Sequence, residues 1–202
     1  MASDYNWRRI ALCGNARVGK DTAIEPLLQL GYQHHAFGNL IKADLDELVQ
    51  RRMGFSAFTT DTELKAKIRR SLEYVGDDMY DSYLDEYMAT LPDRCINPRI
   101  MRLKEARLWR ELGHPILEIT RPNTEPCSEF ERICMDELYR AGVITHTIAN
   151  DSTPEDLQVK VMDLIMDADT EEGVELVFGS SSNLESQNIA SIVYRENAWK
   201  GY

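Results

Sequence analysis

The sequence predicts an α/β fold with about five parallel strands and helices on both faces of the sheet. Three observations predict it. Short apolar runs alternate with helical stretches of ten or more residues. A glycine-containing loop separates the first apolar run from the first helical stretch. The chain has 202 residues, of which 43% are hydrophobic, and this is enough to bury the core of one domain.

Five segments have the short, apolar composition of strands that are buried in a parallel sheet. They are predicted at residues 7–13, 32–37, 94–100, 114–120 and 143–149. The third is interrupted by Pro98 and is therefore expected to be short. Helical stretches lie between the strands, and crossovers of this kind are what a parallel sheet requires.

The helical stretches end at glycine or proline, as helix C-termini commonly do. They are predicted at residues 22–30, 40–52, 60–89, 101–112 and 128–141, with a last helix that runs from a cap at Ser152 or Thr153 to Ala168. Asn39 is the predicted N-cap of the second helix. In the long third region, apolar residues recur at steps of four and three, and Gly76 is predicted to bend or divide the helix.

The charge of the chain is unevenly distributed. There are 23 Lys and Arg against 34 Asp and Glu, a net charge of −11. Residues 150–202 contain 11 acidic and 3 basic residues, a net of −8, so the other 149 residues carry only −3. This balance argues against binding to long nucleic acid, whose partners are basic, but leaves room for a local basic pocket.

Several other classes of protein are disfavoured. No stretch approaches the ~20 apolar residues that a membrane helix needs, and the N-terminus lacks the apolar core of a secretory signal, so a cytoplasmic protein without membrane contact is expected. The four cysteines, at 13, 95, 127 and 134, form no C-x-x-C pair or zinc pattern. They are expected to be reduced, small hydrophobic residues, and a metal held by protein side chains alone is not expected.

The strongest local signal is the segment Gly14–Thr22, GNARVGKDT, which fits G-x(4)-G-K. It lies directly after a predicted strand and before a predicted helix. Glycines let the backbone curl so that N–H groups point at phosphates, and the helix N-terminus adds partial positive charge. Lys20 is then placed to reach the β- and γ-phosphates. An ordinary glycine turn is the alternative, and the placement between strand and helix favours the phosphate loop.

One position departs from the usual pattern. Asp21 follows the lysine where a Mg²⁺-binding hydroxyl is usual, and Thr22 comes next. The G-K-x-T spacing is typical of nucleoside monophosphate kinases. Asp21 either supports the metal through water or simply favours the positive end of the helix dipole.

Phosphoryl transfer also needs cations for the acceptor phosphate and for charge that develops during the reaction. Arg99 and Arg121 end the third and fourth predicted strands, and ligands of open α/β sheets bind at this edge. Phe37, at the end of the second strand, either belongs to the core or stacks on a base. Asn150 follows the fifth strand and is either a turn residue or a contact to the nucleotide. The cations considered are Lys42, Arg69, Arg70, Arg99, Arg121 and Arg132.

Taken in order, these segments resemble the deoxynucleoside monophosphate kinases of large-genome phages, within the adenylate-kinase-like group of P-loop kinases. The matching segments are GNARVGKDT, HHAFGNLIK, RRSLEYVG, INPRIMRLKEARLWRELGHPILEITRPN and THTIANDSTPEDL. They span about residues 7–168. The resemblance implies a P-loop nucleoside-monophosphate-kinase-like domain at 1–169, with a helical acceptor-binding region at 39–90 and a short lid at 121–134. The acidic, polar tail at 170–202 is not covered.

The resemblance also implies roles for individual residues. Lys20 would stabilise the transferred phosphoryl group, with Arg121 and Arg132 in the lid as further catalytic cations. The residues implied for ATP are Asn15, Ala16, Arg17, Val18, Gly19, Lys20, Asp21, Thr22 and Asn150. Those implied for the acceptor are Phe37, Lys42, Arg70 and Arg99. Mg²⁺ would arrive with ATP and contact Thr22, with Asp21 acting through water. Asn97 replaces an aspartate that is common in the family, which weakens any role in metal binding.

The implied reaction is transfer of the ATP γ-phosphoryl group to a (deoxy)nucleoside 5′-monophosphate, in the host cytoplasm if the protein is phage-encoded. The resemblance is also consistent with a homodimer. Two alternatives stay open: another small-molecule P-loop kinase, such as a dephospho-coenzyme A kinase, and a nucleotide-binding module without catalytic activity. A GTPase is disfavoured because the chain has no N/T-K-x-D segment.

Overall fold

The computed structural model of the chain describes residues 5–171, with side chains described as far as residue 167. The tail predicted from residue 170 onward therefore lies outside the described residues, except for its first two positions. Those two continue the last helix, which runs to Glu171.

A single five-stranded sheet organises the described part of the chain. Its strands are β1 (Arg9–Cys13), β2 (Gln33–His34), β3 (Cys95–Asn97), β4 (Ile116–Thr120) and β5 (His146–Ala149). They lie in the order β2-β3-β1-β4-β5, and every neighbouring pair is parallel. Ile10 pairs with Ile96 on one side of β1, and Leu12 pairs with Leu117 on the other. The predicted parallel sheet is confirmed, with the strand that precedes the glycine loop at its centre.

Seven helices connect and cover these strands within residues 5–171. They are α1 (Lys20–Gln29), α2 (Gly38–Met53), α3 (Thr62–Asp78), α4 (Tyr80–Ala89), α5 (Leu103–Glu111), α6 (Glu129–Ala141) and α7 (Pro154–Glu171). None of these helices combines the length and apolar composition that a bilayer-spanning segment needs.

The two faces of the sheet bury two separate apolar cores. Because side chains alternate along a strand, Leu12 points to one face while Ala11 and Cys13 point to the other. On the first face, Leu12 packs with apolar residues of α1 and α7, which include Leu27 and Val161. On the second face, residues of α4, α5 and α6 cover the sheet. Helices therefore lie on both faces, as the alternating pattern predicts.

A smaller core lies away from the sheet, between α2 and α3. Val49, Ala57 and Ile68 are its buried members. Gly76 is buried where α3 passes α2, and a Cβ at this position would lie 2.9 Å from Cδ1 of Ile41. The glycine thus permits close packing of two helices. It does not divide the helical region as predicted, because the break falls at Met79, between α3 and α4.

The predicted start of α2 is also wrong. Asn39 donates its N–H to the carbonyl of Ala36, and Leu40 donates to that of Phe37, so the turn has begun before Asn39. The N-cap is Phe37, and no side-chain hydrogen bond caps this helix. Asn39 therefore lies inside the first turn. The same turn explains why β2 ends at His34 and does not reach Phe37 as predicted.

Cysteine burial agrees in part with the prediction. Cys13, Cys95 and Cys134 are buried, and Cys127 is exposed in the loop before α6. All four thiols are unpaired. Burial raises the pKa of the Cys13 thiol to about 12 and that of Cys95 to about 11, so both stay protonated at neutral pH.

A buried histidine predicts how the stability of the fold depends on pH. His114 is only 2% exposed, and neither ring nitrogen has a hydrogen-bond partner among the described residues. Burial, together with nearby Arg9, lowers the pKa of His114, so the unfolded chain takes up this proton more readily than the folded one. The free energy of unfolding should therefore fall as the pH drops below about 6.5, the ordinary pKa of histidine.

We expect the His114→Phe variant to lose less stability than the wild type between pH 7.5 and pH 5.5, as measured by urea unfolding. A phenylalanine of similar volume carries no group to protonate and leaves no unpaired nitrogen. The exposed residue His34, replaced in the same way, is the control for removing a histidine. An equal loss of stability in the wild type and in His114→Phe would contradict this account.

Candidate phosphate-binding site

The phosphate loop (residues 14–22) leaves the central strand β1 at its carboxyl end and leads into α1. Gly14 has a φ of 121°, and a Cβ on it would lie only 2.3 Å from the carbonyl oxygen of Ile119 in β4. Any side chain would collide with this backbone oxygen, so the first glycine of the motif is required by the packing of β1 beside β4. Arg17 also takes a left-handed conformation, with a φ of 67°.

The second glycine lies against the end of β5. Gly19 has a φ of 101°, and a Cβ on it would lie 2.5 Å from Nδ2 of Asn150. The same amide donates a hydrogen bond to the carbonyl oxygen of Val18 at 2.7 Å. The structure thus places Asn150 against the backbone of the loop, and its role towards a nucleotide base stays a prediction.

The loop leaves a row of backbone donors without partners. The N–H groups of residues 17–22 donate no hydrogen bond to any residue that the structure describes. These groups surround the N-terminus of α1, where the helix dipole favours an anion. The side chain of Val18 is buried while that of Arg17 points to solvent. A curled row of free donors at a helix N-terminus is the arrangement that binds phosphate oxygens.

Lys20 is folded back over this loop. Its Nζ atom donates to the carbonyl oxygens of Gly14 and Asn15, both at 2.7 Å. Burial lowers the pKa of Lys20, nearby Arg99 lowers it further, and Glu131 acts in the opposite direction. The ammonium group is therefore held by the backbone of the phosphate loop, close to the cation of Arg99 and to the carboxylates of Glu131 and Asp21.

The structure brings Arg99 to the same region. Arg99 lies just after β3, is exposed, and forms no ion pair with any described carboxylate. Its backbone N–H donates to Oδ1 of Asn97 at 3.1 Å. The amide of Asn97 in turn donates to Oε1 of the buried Glu105 at 2.6 Å. Burial raises the pKa of Glu105 to about 8 despite this hydrogen bond. Asn97 therefore uses its side chain to hold the backbone that carries Arg99.

Glu131 is a residue of the site that our sequence analysis missed. Its side chain is 1% exposed, and its Oε1 atom accepts the N–H of Ala16 in the phosphate loop at 2.9 Å. Its Oε2 atom accepts the N–H of Cys127 at 2.7 Å. Burial acts to raise the pKa of Glu131. The backbone N–H groups of Cys127 and Ala16, the thiol of Cys127 and nearby Arg99 together hold this pKa below its usual value.

A signal for Glu131 was present in the sequence. Ser128 and Glu131 have the S-x-x-E spacing of a capping box, and the hydroxyl of Ser128 accepts the N–H of Glu131 at 3.1 Å. In the usual box, the glutamate returns to the N–H of the cap residue. Here it reaches Cys127 and Ala16 instead. The spacing therefore indicates a helix start but does not reveal the contact with the phosphate loop.

The predicted lid consists of a loop and the first turns of α6. Thr124 donates its N–H to the carbonyl of Arg121 at 3.3 Å, and Asn123 has a φ of 58°, so residues 121–124 form a turn of type II character. Asn15 of the phosphate loop donates to the carbonyl of Thr124 at 3.3 Å. Arg121 is exposed, and its guanidinium has no partner among the described residues.

Arg132 is not directed at the other candidates. Its guanidinium bonds to Glu129 and, at 2.9 Å, to Asp136, and both of these carboxylates lie on α6 itself. The side chain is half exposed. Exposed pairs of this kind contribute little to stability, so Arg132 is free to exchange partners.

Three further acceptor candidates lie outside the phosphate loop: Phe37, Lys42 and Arg70. Phe37 packs against Tyr80 and Tyr87, with ring centroids 5.3 and 5.5 Å away. Lys42, on α2, lies 5.8 Å from the ring of Phe58, and burial together with nearby Lys65 lowers its pKa. Arg70 is exposed on α3 and contacts none of the other candidates. The structure does not bring these three residues into contact with one another.

The described residues fit a metal that arrives with its nucleotide. No group of three or more His, Cys, Asp or Glu side chains in the described part of the chain is arranged to hold an ion. Thr22 is half-buried in the first turn of α1, its hydroxyl has no partner there, and Asp21 beside it is exposed. A hydroxyl and a nearby carboxylate suit Mg²⁺, which keeps several waters and binds through substrate phosphates.

Comparisons with known proteins give only distant similarities. No protein-family model matches the chain, and no curated protein matches it. Dephospho-CoA kinase from Campylobacter jejuni is similar over 82% of this chain and 98% of that chain, at 11% identity and a TM-score of 0.46. Shikimate kinase from Aquifex aeolicus vf5 is similar over 82% and 99%, at 18% identity and a TM-score of 0.43. TT1252 from Thermus thermophilus is similar over 79% of this chain and 96% of that chain, at 18% identity and a TM-score of 0.44.

At these scores the similarities identify neither substrate nor activity. The topology of the chain itself is clear: the strand order is β2-β3-β1-β4-β5, and the glycine loop joins the central strand to the first helix. The chain thus has the five-stranded parallel sheet with helices on both faces that its sequence predicts, with the glycine loop after the central strand.

The close approach of Gly14 to β4 leads to a prediction that a matched glycine can control. Gly14→Ala should lower the free energy of unfolding by about 3 kcal/mol or more, because the methyl group meets a backbone oxygen and the φ is unfavourable. Gly31→Ala, where φ is +84° and nothing lies within 4 Å, should cost only about 1 kcal/mol. Urea unfolding measures both, and equal losses would contradict the steric explanation.

Proposed function

We propose that this protein transfers the γ-phosphoryl group of MgATP to a (deoxy)nucleoside 5′-monophosphate, giving the diphosphate and ADP. The observation that carries the proposal is the phosphate loop itself. Six consecutive N–H groups, at residues 17–22, have no partner among the described residues, and Lys20 is folded over the same loop. This arrangement suits the β- and γ-phosphates of a nucleoside triphosphate.

The acceptor phosphate has a matching cation at the same edge of the sheet. Arg99 is exposed, unpaired with any described carboxylate, and close enough to Lys20 to lower its pKa. Two nearby cations that repel each other are stabilised when further anions come between them. An acceptor that carries its own phosphate would supply that negative charge, and this supports a nucleoside monophosphate.

The proposed reaction requires little from the protein beyond positioning the two substrates and neutralising the charge of their phosphates. The acceptor oxygen is already an anionic nucleophile, so no general base is required. Lys20 neutralises charge on the transferred group, Arg99 holds the acceptor phosphate in line, and the loop N–H groups orient the donor. Mg²⁺, when bound with ATP, would polarise the phosphoryl oxygens, with Thr22 as a protein ligand. Arg121 and Arg132 would approach as the lid closes and excludes water.

Phosphoryl transfer to a small molecule other than a nucleoside monophosphate is the alternative function. The phosphate loop serves any ATP-dependent phosphoryl transfer, and the base of a nucleotide acceptor would have to be recognised by Phe37 and its neighbours. Since Phe37 already packs on Tyr80 and Tyr87, only part of its ring is free to contact a base. Dephospho-CoA and shikimate, the substrates that the similar proteins' names suggest, therefore belong among the acceptors to be tested.

The first test is an assay of acceptor-dependent ADP release with ATP and Mg²⁺. The panel includes dAMP, dGMP, dCMP, dTMP, dUMP, modified pyrimidine monophosphates, the ribonucleotides, dephospho-CoA and shikimate. We expect turnover with at least one nucleoside monophosphate. Lys20→Ala should reduce it at least about 100-fold, because one donor of transition-state charge stabilisation is lost. Lys104→Ala, which removes an exposed ion pair with Asp81, is the matched control.

The outcomes separate the alternatives. Turnover with dephospho-CoA or shikimate alone would support the alternative function and contradict the nucleotide substrate. ATP binding without turnover of any acceptor would indicate a module without catalytic activity. Undiminished turnover in Lys20→Ala would remove the phosphate-loop assignment.

A second prediction concerns the acceptor side. Arg99→Ala should raise the acceptor KM or lower kcat by about ten- to a hundredfold, the range expected when a hydrogen bond to a charged group is lost. The affinity for MgATP should change by less than about threefold, because Arg99 forms no hydrogen bond with residues 14–22. Steady-state kinetics with both substrates varied, together with calorimetric ATP binding, measures the two effects.

Arg107→Ala is the control for this substitution, since Arg107 is exposed on α5 and has no partner among the described residues. It should change neither constant. If Arg99→Ala weakens ATP binding as much as it weakens the use of the acceptor, Arg99 belongs to the donor site and the assignment is wrong.

A further inference from the structure

Glu131 is a buried carboxylate at the candidate site to which the proposed reaction assigns no step. It lies in the first turn of α6, and its two oxygens accept N–H groups from segments far apart in the chain, Ala16 and Cys127. The low exposure of the side chain means that its charge is balanced by these donors and by nearby cations, not by water. A buried charge with such partners is costly to move.

The position of the contact shows which part of the loop it occupies. Glu131 takes the N–H of Ala16, whereas the N–H groups of residues 17–22 stay without partners among the described residues. The carboxylate therefore does not occupy the row of donors that would receive phosphate. It holds the part of the loop that comes before this row, while Asn150 holds the loop at Val18.

We infer that Glu131 is a positioning residue for the ATP phosphates: its carboxylate fastens the phosphate loop to the lid segment before α6 and places a negative charge beside Lys20. The inference rests on the proposed function in taking MgATP as the ligand of the loop. It adds that the lid and the loop are coupled through Glu131 and through the bond from Asn15 to Thr124.

The electrostatic surroundings of Lys20 agree with this role. The groups that face Lys20 are Arg99 after β3, Glu131 on α6, Cys13 in β1 and Asp21 on α1. Burial and Arg99 lower the pKa of Lys20, and Glu131 is the first of the groups that raise it. Arg99 and the thiol of Cys127 also face Glu131. Removing the charge of Glu131 would therefore leave Lys20 and Arg99 with less negative charge beside them.

The test is the affinity of the full chain for MgATP at neutral pH, without acceptor, at a temperature where every variant is folded. Glu131→Gln should weaken binding about tenfold through the loss of charge-assisted hydrogen bonds. Glu131→Asp keeps the charge but shortens the reach, so its affinity should fall as well.

Ser128→Ala is the matched control. It removes the hydroxyl that caps α6 and leaves the two bonds of the carboxylate in place. It should lower the thermal unfolding midpoint without weakening MgATP binding. A merely structural role of Glu131 would instead lower the midpoint of the Glu131 variants and leave the affinity of the folded chain unchanged.

Each outcome decides a different question. If the wild type binds no MgATP, the proposed function fails. If the wild type binds and Glu131→Gln binds equally or more tightly, the inference about Glu131 is overturned while the proposed function stands. If both Glu131 variants fail to fold while Ser128→Ala folds, the carboxylate serves folding and not phosphate positioning, and the inference is again overturned.

Discussion

The close contact between the Gly14 backbone and the carbonyl oxygen of Ile119 is the constraint on which the rest of the site depends. A Cβ would lie 2.3 Å from that oxygen, so the chain can leave β1 in this direction only with glycine. Since β1 and β4 are hydrogen-bonded neighbours, the contact sets where the phosphate loop begins relative to the sheet. Asn150 and Glu131 then hold later parts of the loop. The loop is thus shaped by contacts of the chain itself, which reduces the ordering cost of binding.

The electrostatics follow from this arrangement. Although the whole chain carries a net charge of −11, cations from two different segments, Lys20 and Arg99, come together at the carboxyl edge of the sheet. Their repulsion is offset in part by Glu131, whose charge is held by backbone N–H groups. Asn97 and Glu105 hold the backbone of Arg99 from within the core. An acidic protein therefore presents a local basic site that suits small phosphorylated molecules and not a long polyanion.

Much of the fold could be predicted from the sequence because its signals are local. Alternating strands and helices predicted the five-stranded parallel sheet, and the glycine motif between strand and helix predicted the loop at its centre. The predicted starts and ends of the helices were less accurate. Asn39 has the side chain of an N-cap, but the hydrogen-bonded turn begins at Ala36. Gly76 has the composition of a helix break, yet it serves the packing of α3 against Ile41. In both cases a contact in the folded chain overrides the preference of a residue type.

The sequence by itself determined the class of fold, the place of the phosphate loop and the residue types available for phosphate chemistry, because periodicity and short motifs act over a few residues. Only the tertiary structure decided which partners those residues have. Glu131 meets Ala16 across 115 positions of the chain and Asn150 meets Val18 across 132 positions, and no local pattern records either contact. Conversely, Arg132 faces Glu129 and Asp136 on its own helix. The packing of α6 beside the sheet decides which of its carboxylates contacts the phosphate loop and which contacts Arg132. This packing is determined only when distant segments fold together.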